Sequence, residues 1–132
     1  MIKFKEYIAE KVTRDQIKDI EKFADKLFAK VNVDIDLRSK HFYDRLNDPR
    51  NGKEISSAEI IRIFKNLFKK HGKKIGGMDP DLQGVVTELN SNNNIPFLIK
   101  YDSKNDEIDF IAKTFMKKKN FKPSASDKHL KV

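Results

Sequence analysis

The chain has 132 residues, 38% hydrophobic and 36% charged. That balance suits one folded domain with one core and excludes full disorder, and no apolar run in the sequence approaches the roughly 18 residues that would span a bilayer. With no cysteine and 3 histidines, a disulfide framework, a thiolate zinc site and a cysteine nucleophile are excluded, and no metal or cofactor is expected.

The 28 Lys and Arg outnumber the 20 Asp and Glu, for a formal net charge of +8. Surplus positive charge on a small domain favours a polyanionic partner: DNA, RNA or an acidic protein. The N-terminus has no continuous apolar signal core, so a reducing, aqueous setting and no membrane partner are expected.

Taken in chain order, residues 1–10 read as a short amphipathic segment, with Ile2, Phe4, Tyr7 and Ile8 on one helical face. Thr13 and Gln16 form a capping box. The helix that follows carries Ile17, Ile20, Ala24, Leu27, Phe28 and Val31 at helical spacing. The period then changes to two. Val33, Ile35 and Leu37 alternate with Asn32, Asp34 and Asp36, as in a half-buried strand. His41 to Leu46 reads as a short helix with Phe42 and Leu46 inward, and residues 47–52 are dense in turn formers.

Ser56 and Glu59 make a second capping box. The long helix after it carries Ile60, Ile61, Ile63, Phe64, Leu67 and Phe68, with its end predicted near His71 and Gly72. Lys69, Lys70, Lys73 and Lys74 crowd that end, where cations suit the helix dipole. Asp79 and Pro80 read as a helix start, and Leu82, Val85, Val86 and Leu89 fit a short helix. Gly84 to Thr87 would also suit a strand; helix is the favoured reading. Residues 95–101 and 107–116 read as two strands joined by a turn at 103–106. The expected architecture is α+β: a single domain over 11–122, with two long helices and short ones on one face of a small, mostly antiparallel sheet. Residues 123–132 read as a basic, flexible tail.

Three features carry chemistry. The first is Phe4-Lys5-Glu6-Tyr7 followed by Ile8-Ala9-Glu10. This opening resembles the capsid targeting sequence of internal head proteins in T4-like tailed phages. The resemblance implies packaging into the virion head, cleavage after Glu10 by the prohead protease, and delivery with the DNA into the host cytoplasm. Cleavage would leave the charge unchanged, because Lys3 and Lys5 depart with Glu6 and Glu10. Proteins of that group include inhibitors of host restriction, so a host defence protein is an alternative partner, and a DNA-condensing role an alternative function.

The second is His41 with Arg45, four residues apart on one helix face. A histidine to move a proton and an arginine to stabilise a charged phosphorane would suffice for metal-independent RNA cleavage. The order of elements resembles the superfamily of barnase-like, EndoU-like, colicin-type and RelE-like nucleases. Under that resemblance His41 and Arg45 are the first catalytic candidates, and Lys113 and Thr114 the second. The plain alternative is a surface histidine beside a solvated arginine. Arg50, in the turn, is a candidate phosphate contact.

The third is the run Lys117-Lys118-Lys119, with Phe115 and Phe121 interleaved, beside the cluster at Lys69, Lys70, Lys73 and Lys74. Cations with nearby aromatics can track a nucleic-acid strand through charge and stacking. The sequence has no phosphate-binding glycine loop, dinucleotide fingerprint or serine nucleophile elbow. Asp34 and Asp36 are read as solvent-facing rather than as a metal site.

Overall fold

The computed structural model describes residues 12–51, 55–124 and 126–132. The predicted leader, with Glu10, lies outside them. Helix α1 (Arg14–Phe28) opens on the expected capping box: the Gln16 N–H donates to Thr13 Oγ1 at 3.1 Å, and the Thr13 N–H to Gln16 Oε1 at 2.8 Å. Its stripe of Ile17, Ile20, Ala24 and Phe28 is buried. The helix tightens into one 3₁₀ turn (Ala29–Val31). Asn32 then takes a left-handed conformation, φ 62°, and redirects the chain into strand β1 (Val33–Asp36). Asparagine tolerates that conformation better than most residues.

Helix α2 (Lys40–Leu46) turns Phe42 and Leu46 inward as predicted. Ser39 caps it and also donates to the Lys113 carbonyl at 3.1 Å, which seats the helix start against that distant part of the chain. Helix α3 (Ser57–Gly76) opens on the second capping box and runs past its predicted end. Gly72 does not stop it, because Gly72 is buried within the helix. A Cβ there would sit 3.0 Å from a carbon of Phe68, so the glycine makes room for that ring.

Beyond α3 the reading of 79–90 is corrected. Asp81, at φ 69°, turns the chain, and its N–H bonds the Ile99 carbonyl at 2.7 Å. Residues Gln83–Glu88 then form strand β2, not a helix. Gly84 through Glu88 are all buried, on both faces of the sheet. A strand covered on both sides shows no alternation, so its sequence reads equally well as a short helix.

Strands β3 (Asn93–Asp102) and β4 (Glu107–Ala112) form the expected hairpin, but β4 ends four residues early. The chain leaves it at Lys113 to bury Phe115. It then returns as the short strand β5 (Met116–Lys117) against the start of β3.

The tail is the second correction. Lys128–Lys131 form strand β6, parallel to β2, and Leu130 and Val132 are buried. Two apolar residues in a basic stretch are too few to show a period, yet β2 leaves an unpaired edge for them to complete.

The sheet order is β1-β4-β3-β2-β6, with β5 beside β3. It is mixed: β1 runs parallel to β4 and β6 to β2, while the β2–β3, β3–β4 and β3–β5 pairs are antiparallel. The fold is α+β. Val33, Ile35, Val86, Ile95, Phe97, Ile99, Phe110 and Leu130 meet α1 and α3 in a single core. Phe97 stacks on Phe110 at 4.5 Å between centroids, and Phe110 meets Phe64 of α3 edge-on at 6.2 Å. Among the described residues, no helix is long and apolar enough to cross a membrane.

Candidate nucleic-acid interface

Two stretches of the chain carry cations and no acid: 60–78, with Arg62, Lys65, Lys69, Lys70, Lys73 and Lys74, and 110–126, with Lys113, Lys117, Lys118, Lys119 and Lys122. The fold brings most of these cations to one side; Lys113, which reaches Gln83, is not among them. His71 of α3 donates from Nε2 to the Lys131 carbonyl of β6 at 3.0 Å, which joins the basic helix to the basic sheet edge. Lys65, Lys69, Lys70, Lys73 and Lys74 are exposed along α3, and Lys118, Lys119, Lys122 and Lys131 are exposed beside β6. None of these nine makes an ion pair among the described residues.

Three concavities run along this side. A groove of about 1110 Å³ lies between α1 and α3, floored by Phe23, Leu27, Ile61 and Phe68. A second, of about 520 Å³, shares Arg62, Asn66 and Lys70 with it. A third, of about 720 Å³, meets the second at Leu89 and lies between the turn at 118–123 and His129 of β6. Each passes into the next through shared residues.

Among the described residues, Arg62 is the one cation of this side with acid partners. Its Nε and Nη2 grip the Glu88 carboxylate at 2.6 and 2.8 Å. Ser91 and Asn93 also donate to that carboxylate. Burial raises the Glu88 pKa, but the hydrogen bonds from Arg62 and Ser91 and the Arg62 charge outweigh it and hold the group below its ordinary value.

The third concavity has a built polar wall. Register pairs β2 Thr87 with β3 Asn94 and, on the same face, β6 Lys131. Asn94 is fully buried, and its amide nitrogen donates to the carbonyls of Asn92, Met116 and Lys118. Its Oδ1 must therefore accept, and it takes the Thr87 hydroxyl proton at 2.7 Å. With that proton committed, the Thr87 oxygen accepts from His129 Nε2, also at 2.7 Å. The chain of bonds sets the histidine tautomer: Nε2 carries hydrogen, and the neutral ring keeps an acceptor at Nδ1. Burial, then the charge of Lys131, lowers the His129 pKa and favours that neutral form.

The residues singled out from sequence divide. Lys69, Lys70, Lys73, Lys74, Lys118 and Lys119 come together on the basic side. Lys117 does not join them as a free cation: it is half-buried and donates to Asn93 Oδ1 at 2.7 Å and to the Ser91 carbonyl at 3.3 Å. Arg50 is held by its neighbour Asp48 through Nε and Nη2, at 3.0 and 2.7 Å. Those bonds pull the Asp48 pKa down to about 2.

His41 and Arg45 are exposed on α2, and neither side chain makes a hydrogen bond among the described residues. Lys113 reaches Gln83 at 2.7 Å, and Thr114 is half-buried. None of these four lines the three concavities. Sequence reasoning missed the His129, Thr87 and Asn94 set. Thr87 and His129 lie 42 residues apart, and only the β2–β6 pairing joins them.

The far edge of the sheet is acidic. Carboxylate oxygens of Asp34, Glu107 and Asp109 lie within 4.8 Å of one another. Burial and then the charge of Asp34 raise the pKa of both Glu107 and Asp109. Three such oxygens can serve as hard ligands to a divalent cation. Asp36 does not join them; Arg38 takes it at 3.1 Å. No protein-family model, curated protein or solved structure matches this chain.

Proposed function

We propose that this chain binds nucleic acid through the basic side formed by α3, the 118–123 turn and β6. The observation that carries the reading is the gathering, along three connected concavities, of nine lysines without acid partners among the described residues, while Asp34, Glu107 and Asp109 cluster at the opposite edge of the sheet. A contiguous positive surface binds polyphosphate by releasing condensed counterions. The reading is of binding and not of cleavage, because His41 and Arg45 stand apart from these concavities and from each other's hydrogen bonding. The resemblance of residues 1–10 to a capsid targeting sequence supplies the setting: packaging with phage DNA and release into a host cell.

Fluorescence anisotropy with labelled DNA and RNA across a salt series tests the binding. The expected result is a steep loss of affinity with salt. Replacing Lys69, Lys70, Lys73 and Lys74 by Gln is expected to reduce the log–log slope by up to about 3 to 4, at about 0.9 for each phosphate no longer neutralised. Binding that is absent, or indifferent to salt and to these lysines, rejects the proposal. RNA cleaved in EDTA by the wild type but not by His41→Ala would restore the nuclease reading. Mass spectrometry of purified virions tests the setting: a chain beginning at Lys11 is expected there.

A further inference from the structure

The third concavity differs from the rest of the basic side in having a fixed polar wall, and this inference rests on the nucleic-acid reading above. Its cations are Lys118, Lys119, Lys122 and Lys131, and its apolar surface comes from Phe121 and Leu89. Leu89, one of its lining residues, is 58% exposed, a large apolar side chain left facing water. His129 also lines it, immobilised through Thr87 by the fully buried Asn94.

A space of about 720 Å³ matches the size of small-molecule sites and admits one nucleotide; a base pair inside a duplex cannot enter it. An aromatic ring beside unpaired lysines is the combination that holds a strand by stacking and charge together. The acceptor left on His129 adds direction. It can receive a hydrogen bond from a base N–H, an exocyclic amine or a sugar hydroxyl, groups that a duplex largely conceals.

We infer that the concavity between the 118–123 turn and His129 takes one unpaired nucleotide, its base against Phe121, its phosphates on the surrounding lysines, and a donor of the base or sugar on His129 Nδ1. The chain is accordingly a single-strand binder, and duplex contacts only the α3 lysines.

The test compares a labelled single strand of about 12 nucleotides with its duplex, by anisotropy on the full chain. The wild type is expected to prefer the single strand by about tenfold or more. Phe121→Leu keeps an apolar side chain but removes the stacking ring, and should weaken single-strand binding roughly tenfold with duplex binding unchanged. Phe121→Trp should retain the preference. His129→Phe, which keeps a ring but removes the acceptor, should weaken single-strand binding several-fold. The α3 lysine variant should lower both affinities.

Circular dichroism confirms that each variant folds, and Phe121, half-buried in a turn, can be varied without opening the core. Equal affinity for the two forms, or a preference unmoved by both Phe121→Leu and His129→Phe, overturns the inference and leaves polyanion binding standing. If neither form binds, the proposed function fails and takes this site with it.

Discussion

The two edges of the sheet solve one problem with opposite hydrogen-bonding groups, acceptors at one and a donor at the other. At the β1 edge, the outward N–H groups of Ile35 and Leu37 would be open to a foreign strand. Helix α1 covers them: Asp25 accepts from Ile35 at 2.6 Å and Glu21 from Leu37 at 2.8 Å. At the β6 edge, α3 does the covering with His71, which donates to the Lys131 carbonyl. An exposed strand edge invites aggregation, and a flanking helix that lends polar side chains blunts it. N–H groups need acceptors, and carbonyls need donors. Protecting the two edges therefore places two α1 carboxyl groups at one and an α3 imidazole at the other.

Deleting residues 123–132 tests the basic edge most severely. It removes buried Leu130 and Val132 and uncovers β2. Burial of those two side chains alone is worth about 3 to 6 kcal/mol, so urea denaturation should show a loss of at least about 3 kcal/mol or no cooperative transition. A truncated chain as stable as the full one would show that the tail is dispensable to the fold.

Arg62→Ala comes next. The Glu88 side chain is 6% exposed and would keep Ser91 and Asn93 but lose its cation. The expected cost is about 2 kcal/mol by the same measurement, reduced from that of a fully buried pair because Arg62 is half exposed.

The smallest effect sharpens the comparison through pH. Burial, with the nearby Asp34 and Glu21 carboxylates, pushes Asp25 from 3.8 up to about 7, even though the Ile35 N–H opposes the rise. A raised acid favours folding while protonated. Its contribution is complete below 3.8 and is lost as pH rises through about 7. Asp25→Asn keeps the acceptor for Ile35 and removes the titration. Thermal melts should coincide near pH 4 (roughly the ordinary carboxylate value) and separate as pH rises, with the variant more stable at about pH 8. Glu88 has the opposite sign: lowered by Arg62, it stabilises above its ordinary value of 4.5 and its contribution is lost as pH falls. A variant at Asp25 that tracks the wild type at every pH would deny the edge its titrating group.

Much of the helical layer was legible, since both capping boxes and the α1 and α3 stripes depend on residues three and four apart. Asn32 to Leu37 and the β3–β4 turn were legible for the same reason, as alternation and turn formers are local. What escaped depends on partners far along the chain. Gly84 to Glu88 lost its alternation because both faces are covered, and Gly72 looked like a stop until Phe68 was seen against it. Residues 128–131 are a strand only because β2 waits beside them. The candidate site divides in the same way. The lysine clusters were visible as runs, whereas the internal bonds of Arg50 and Lys117 and the His129–Thr87–Asn94 chain were not.

The sequence by itself determined the class of fold, the capped N-termini of α1 and α3, the surplus of positive charge and the absence of thiol chemistry, all properties of composition or of neighbours within a turn. Tertiary structure alone decided which cations share a surface, which are neutralised, which histidine is held by a buried network, and that the last residues complete the sheet. Those outcomes turn on strand order and register, where pairing free energy is gained only once distant segments meet and a shift of one residue would send each side chain to the other face.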